Sequence, residues 1–269
     1  MNLLESELIK LETDGFLIKR NILKNQEIDQ IKDIILKQKS SKGIKESHYP
    51  INMNNFLIKL FKLDFGKIKD CLFLLKIKKK LNLDLVSNEI FKGKSNLIML
   101  DGYWNPIEKK EILPWHSDQA YSGKQNVEKI KSPDIFYLKF FFYLTNVGPN
   151  NGCTSYIPCS HKITYAVRSC LFEKKIKYEP FWSLHDLVKF IKKKDNYKLI
   201  VEKLETENQM DDFLSNANII LSEPEKSFFD FEALPGDLLI FNDSGVHRGS
   251  QPSLNTRIAL RYLYKKNSI

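Results

Sequence analysis

Four consecutive residues, Trp115-His116-Ser117-Asp118, carry the clearest chemistry in this chain. In extended backbone, residues i and i+2 point to the same side. The imidazole of His116 and the carboxylate of Asp118 can therefore face one ion. A third ligand has to come from elsewhere, and the chain offers only five histidines. His48 and His185 sit in polar helix-like or loop contexts with no carboxylate at matching spacing, and read as surface residues. His161, between Ser160 and Lys162, reads as packing or capping a turn. His247 comes after Leu238 to Phe241, an apolar run that reads as a strand, so a second sheet edge can deliver it. Two imidazoles and one carboxylate on one face leave three positions open, the arrangement of non-haem Fe(II) oxygenases. A lone His-x-Asp also arises by chance, and a buried histidine is more often simply hydrogen-bonded.

The residues C-terminal to His247 strengthen the metal reading. Ten residues on, Arg257 opens the strand Ile258 to Tyr264. Its planar fork suits a ligand carboxylate. Of the 42 basic residues, only Arg20, Arg168, Arg248, Arg257 and Arg261 are arginine, and three of these five fall between 248 and 261. In a chain that otherwise uses lysine, that clustering marks positions where the fork matters. Lys139, mid-strand among aromatics, either faces inward toward ligand or snorkels out. Arg261, four residues past Arg257, shares its strand face; it either binds an acidic substrate group or pairs with a core carboxylate. Trp115, Tyr103 and Trp104 line a pocket or are plain core. Gln119 falls beside the metal motif, and Arg248 and Ser250 flank the third ligand.

The elements that position these residues can be read coarsely. Leu3 to Leu11 has helical spacing and is broken by Asp14-Gly15; Phe16 to Ile18 is a short strand. Asn25 is expected to cap a helix Gln26 to Lys37, with Ile28, Ile31, Ile34 and Ile35 on one face. Lys39 to Ser47 is a polar loop, and Lys67 to Leu81 another helix. From Ser95 the chain turns extended: Asn96 to Trp104, Ile135 to Leu144, Thr154 to Ile157, Leu238 to Phe241 and Ile258 to Tyr264 read as strands. Gly236-Asp237 is a tight turn into the fourth of these. Between Lys162 and Leu234 lies an insert with helices at Leu184 to Lys193, capped by Ser183, and Tyr197 to Leu204. The expectation is one domain over 1–269, with a helical part at about 1–94, a β core at about 95–163 and 228–269, and a mostly helical insert at about 164–227.

Bulk properties exclude several classes. With 269 residues, 42% hydrophobic and 28% charged, this is ordinary globular composition. No apolar run reaches membrane-spanning length, and Met1 to Lys10 has no apolar signal core, so no membrane partner and a cytoplasmic location are expected. Cys71, Cys153, Cys159 and Cys170 form no CxxC pair and read as reduced thiols. The net charge is +9, but it is spread as lysine without an arginine–aromatic stripe, so no nucleic-acid partner is expected.

Four separated stretches resemble the phytanoyl-CoA dioxygenase family of Fe(II)/2-oxoglutarate oxygenases. They are Asp14-Gly15-Phe16-Leu17-Ile18 with Leu23 and Glu27 to Ile31; Trp115 to Gln119; Asn151-Gly152-Cys153-Thr154-Ser155-Tyr156-Ile157-Pro158-Cys159-Ser160-His161-Lys162; and Gly236-Asp237 through His247 to Arg257. No single motif is specific, but the ordered set is. The resemblance implies a mainly β fold with flanking helices, a double-stranded β-helix (a cupin-like jelly roll). It implies Fe(II) on His116, Asp118 and His247, and 2-oxoglutarate as co-substrate with Arg257, and Lys139 if it faces inward, as its contacts. The substrate pocket would draw on Trp115, Gln119, Tyr103 and Arg261. Cys159 departs from the family, which usually has glycine there, and the insert matches no motif. A related halogenating subgroup lacks the carboxylate ligand; Asp118 is present, so hydroxylation is expected. The expected function is O2-dependent hydroxylation of a small organic substrate, with release of succinate and CO2. Surplus lysine and an inward Lys139 or Arg261 favour an anionic substrate. Two other readings stand beside it: a cupin-type dioxygenase or isomerase that does without 2-oxoglutarate, and a catalytically silent binding module. The sequence carries no sign of oligomeric state.

Overall fold

A computed structural model describes residues 1–37, 46–49, 65–118, 137–224 and 229–267. Within these, β1 (Phe16–Lys19), β7 (Leu238–Asn242), β5 (Tyr137–Tyr143), β9 (Arg257–Lys266), β3 (Ser95–Asn105) and β2 (Glu46–His48) form a six-stranded antiparallel sheet in that spatial order. Facing it is a three-stranded sheet of β4 (Leu113–His116), β8 (His247–Gly249) and β6 (Thr154–Tyr156), ordered β4-β8-β6. The sheets are antiparallel and do not close into a barrel.

Strand alternation sorts the side chains of the large sheet into two layers. On β5, Leu138, Phe140 and Phe142 point outward, as do Ile258, Leu260, Tyr262 and Tyr264 on β9. They meet α1 (Glu5–Asp14), α2 (Asn25–Lys37), α3 (Phe65–Lys80) and α4 (Leu83–Ile90). In α2, Ile28, Ile31, Ile34 and Ile35 are buried as the spacing predicts. Asn25 is the first helical residue rather than the cap: the Lys24 N–H donates to the Glu27 carboxylate at 3.0 Å, closing the first turn from one residue earlier. The alternate residues of β5 and β9, among them Lys139, Phe141, Arg257 and Arg261, point into the space between the sheets.

The Gly236-Asp237 turn ties the sheet's edge. Gly236 takes φ +95°, a left-handed conformation that favours glycine. The Asp237 carboxylate accepts from the Asn21 and Leu234 N–H groups at 2.8 and 2.9 Å and from Arg20 at 2.7 Å.

The insert has more helix than its sequence pattern suggests: α5 (Ser160–Phe172), α6 (Leu184–Ile191), α7 (Lys194–Val201) and α8 (Asn208–Ser222). Ser183 caps α6 as expected, its hydroxyl accepting from the Asp186 N–H. α7 runs three residues earlier than predicted, and α5 and α8 carry too many polar residues to stand out. Together they form their own core around Phe181, Leu187, Phe190 and Phe213, which packs on Val246 and Ile157 of the small sheet's flanks.

α5 begins after Cys159, whose φ of +62° places a side chain where the family has glycine. A non-glycine residue in that conformation costs about 1–2 kcal/mol, part of it returned by the stiffer unfolded chain. Cys159→Gly should therefore stabilise the fold by about 0.5–1 kcal/mol, read as a thermal midpoint raised by about 1–4 °C. An unchanged or lowered midpoint would show that the thiol's packing outweighs the backbone strain.

Candidate metal centre

The two histidines of the motif are cross-strand partners: His116 on β4 lies opposite His247 on β8. Their ring centroids are 4.5 Å apart. The chain continues from His116 to Asp118, whose carboxylate oxygens stand 3.2 Å from His116 Nε2 and 3.6 Å from His247 Nε2. Three ligand atoms so close to one another form a cluster that could hold a metal. Bonds of about 2.0–2.2 Å would place neighbouring ligand atoms about 3 Å apart, so the group needs only small adjustment around an ion.

The local backbone fixes which nitrogen each ring offers. His116 Nδ1 lies 2.6 Å from the Pro114 carbonyl, and His247 Nδ1 lies 2.8 Å from the Gly245 carbonyl. A carbonyl can only accept, so both Nδ1 atoms carry hydrogen. In the neutral ring this leaves Nε2 as the ligating nitrogen, and both Nε2 atoms are turned toward Asp118, the orientation that a metal-bound imidazole requires. Burial pushes the His247 imidazole down to about 4, which keeps it neutral near neutral pH. Burial opposes the ionisation of Asp118, but the ammonium of Lys139 outweighs it and holds the carboxyl below its usual range. Trp182, from the insert, stacks on His116 at 5.0 Å, and its carbonyl accepts the Ser117 N–H at 3.2 Å.

From this triad the cavity runs along the inner face of the large sheet, a small space of about 80 Å³. Lys139 faces in; it pairs with Asp118 and lies 5.2 Å from the Phe241 ring centre. Arg257 is buried, with its guanidinium 4.9 Å from the Phe141 ring centre and 3.4 Å from the Thr154 hydroxyl. Its Nε has no hydrogen-bond partner, and among the described residues no carboxylate pairs with it. Gly152, at φ +74°, is where the chain passes this side chain: a Cβ there would lie 3.3 Å from Arg257 Cβ. An arginine in a dry wall without an acid could hold the carboxylate of a ligand.

The other expected pocket residues divide. Tyr103 lines the cavity, with Arg261 over its ring. Arg261 lines it too, but pairs with Asp101, so the core-carboxylate alternative is the one realised. Trp115 does not line this cavity. Alternation turns it to the far face of the small sheet, where it packs on the insert core and under the Arg248 guanidinium. Trp104 packs on the outer helical core. Gln119 lies outside the described residues. Arg248 is fully buried between Asp230 and Glu111, at 2.9 Å from each.

Two features escape a reading of the sequence. Asp101 is fully buried and held by both Arg261 and His48, whose own side chain is exposed as expected. Its place two residues before Tyr103, on the same strand face, is the signal that could have found it. The Thr154 hydroxyl beside Arg257 is the other.

The sequence profile described as phytanoyl-CoA dioxygenase matches residues 11–259. No curated protein matches the chain in sequence. Among solved structures, HygX from Streptomyces hygroscopicus, determined with nickel and 2-oxoglutarate bound, is 14% identical with a TM-score of 0.60, over 99% of this chain and 88% of that one. SnoK, described as a non-heme alpha ketoglutarate dependent carbocyclase from nogalamycin biosynthesis, is 12% identical with a TM-score of 0.57, over 98% and 85%. AviO1 from Streptomyces viridochromogenes Tue57 is 12% identical with a TM-score of 0.54, over 97% and 94%. At such identities the likeness is one of fold, the double-stranded β-helix expected from the sequence. With the profile spanning nearly all of it, the chain belongs to the phytanoyl-CoA dioxygenase family of iron- and 2-oxoglutarate-dependent oxygenases.

Proposed function

We propose that this protein hydroxylates a small organic anion, using Fe(II) held by His116, Asp118 and His247 and 2-oxoglutarate held at its far carboxylate by Arg257. The observation that carries the reading is the pairing of a two-histidine, one-carboxylate cluster with a buried arginine that lacks an acid of its own among the described residues. When bound, iron and 2-oxoglutarate supply the oxidation: O2 and 2-oxoglutarate are consumed, succinate and CO2 leave, and one oxygen atom passes to the substrate.

The chain's own part is positioning. The Pro114 and Gly245 carbonyls hold both imidazoles with Nε2 presented. Arg257 offers two parallel N–H donors to one end of a dicarboxylate, with the Thr154 hydroxyl beside it. Phe141, Phe241 and Tyr103 wall the space and exclude water. Lys139 neutralises Asp118 in the metal-free protein; a metal on Asp118 would free this inward ammonium, and that supports an anionic substrate. The chain over 1–269 acts as one catalytic unit.

His116→Ala and Asp118→Ala should each abolish iron-dependent succinate formation; turnover persisting in both would sink the ligand assignment. Anaerobic Fe(II)-loaded protein should give a visible charge-transfer band on adding 2-oxoglutarate. The band should be absent in His116→Ala. In Arg257→Ala it should need roughly 10–100-fold more 2-oxoglutarate, the value of charged hydrogen bonds lost from a dry site. Bound iron without a band would favour the cupin-type reading, and no bound iron the silent module. Arg257→Met should also raise the stability of the ligand-free protein by about 1–2 kcal/mol, because it removes a desolvated charge. A large loss of stability in that variant would make Arg257 structural.

A further inference from the structure

The residues assigned to the metal come from two stretches far apart in the chain, 116–118 and 247, yet one turn holds both. It runs from Asn242 to Gly245, between β7 and β8. Three successive carbonyls of this turn each accept a hydrogen bond from the metal motif. The Asp243 carbonyl accepts from the Asp118 N–H at 3.3 Å, the Ser244 carbonyl from the Ser117 hydroxyl at 2.7 Å, and the Gly245 carbonyl from His247 Nδ1 at 2.8 Å. Ser117 is itself buried, so its contact is shielded from competing water.

The turn is held from its other side as well. Each of its N–H groups has an acceptor. Asn242 donates to the Gly15 carbonyl at 2.9 Å, Asp243 to the Tyr137 carbonyl at 3.1 Å, Ser244 to the Asn242 side-chain oxygen at 2.9 Å, and Gly245 to the Asn242 carbonyl at 3.2 Å. Tyr156 completes the frame. It is fully buried and lies directly opposite His247 across β6 and β8. Its ring is nearly parallel to the imidazole, at 16°, with centroids 6.3 Å apart. Its hydroxyl donates to the Asn242 carbonyl at 3.0 Å and fills the space beside Gly245, where a Cβ would come within 1.8 Å of it. Tyr156 thus meets the first and last residues of the turn and faces the ligand beyond it.

We propose that this turn is the jig that sets the geometry of the metal site, and that Ser117 and Tyr156 are its positioning residues, Ser117 for the carboxylate of Asp118 and Tyr156 for the imidazole of His247. The inference rests on the assignment of His116, Asp118 and His247 as metal ligands. Neither residue is one of the three; each acts through a backbone carbonyl of the turn, as groups that orient ligands do. Removing their hydroxyls separates positioning from packing. The Ser244 carbonyl keeps the Thr164 hydroxyl at 2.7 Å, and the Asn242 carbonyl keeps the Gly245 N–H, so neither loss leaves an orphaned acceptor.

Titration of the full chain with Co(II), followed by calorimetry and by the EPR spectrum of the bound ion, tests this. Ser117→Ala and Tyr156→Phe should each weaken Co(II) binding about tenfold, the usual effect of losing a group that orients a ligand, and each should alter the spectrum. Tyr262→Phe is the matched control: its buried hydroxyl donates to the Leu74 carbonyl at 2.7 Å, in the outer core away from the turn. It should lower the thermal midpoint at least as much as the other two, yet leave Co(II) affinity and spectrum as in the wild type. Ser117→Ala, the smaller change, carries the test alone if Tyr156→Phe does not fold. Affinity and spectrum unchanged in either folded variant, or disturbed equally by Tyr262→Phe, would overturn the proposal while the wild-type chain still takes Co(II). A wild-type chain that takes none would overturn the ligand assignment, and this inference with it.

Discussion

The middle stretches of strands β5 and β9 lie in a sheet that is covered on both sides, so neither has a solvent face there on which to place a charge. Every polar side chain on them must either find a partner in the interior or wait for one. The outer positions obey by being apolar or aromatic throughout, from Leu138 to Phe142 and from Ile258 to Tyr264. The inner positions do not: Lys139, Arg257 and Arg261 all enter the space between the sheets. A buried charge is tolerated only when paired. Lys139 has Asp118, Arg261 has Asp101, and Arg248 on the facing sheet has Asp230 and Glu111. Of these four cations Arg257 alone has no acid among the described residues. That exception is the physical ground for giving this position a ligand as its partner, without reference to any relative.

The metal ligands are set by the same pleat from the other side. Period-two alternation sends His116 inward and Trp115 outward, and the antiparallel register of β4 with β8 puts His247 directly opposite His116. Backbone carbonyls two residues before each histidine then choose the tautomer. Geometry and protonation thus come from strand structure alone, and the side chains need contribute only their chemistry.

The sequence made this centre legible because its signals are local. His-x-Asp needs only extended backbone, and Arg257 stands out because arginine is scarce. The strands of the core are legible for the same reason, being short, aromatic and bounded by turns. The illegible parts depend on pairings between distant segments. That Asp101 would meet Arg261 and His48 rests on the β2-β3-β9 order, and no spacing along the chain encodes it. Adjacency to His116 suggests a pocket position for Trp115, whereas alternation sends adjacent residues to opposite faces. In the insert, α5 buries Ser160, Thr164, Arg168 and Ser169, polar residues that mask its amphipathic pattern until the tertiary partners are known.

The two faces of the metal cavity belong to different bodies of packing. His116 and His247 ride on the small sheet, buttressed by Trp182 and the insert's core, while Arg257 and Lys139 ride on the large sheet and its helices. A dicarboxylate chelated at one end and clamped at the other would span this divide like a strut. Co-substrate binding would then be a mechanical act as well as a chemical one, adding a polar brace to the apolar contact that Tyr156 of the small sheet makes with Phe16 and Phe241 of the large one.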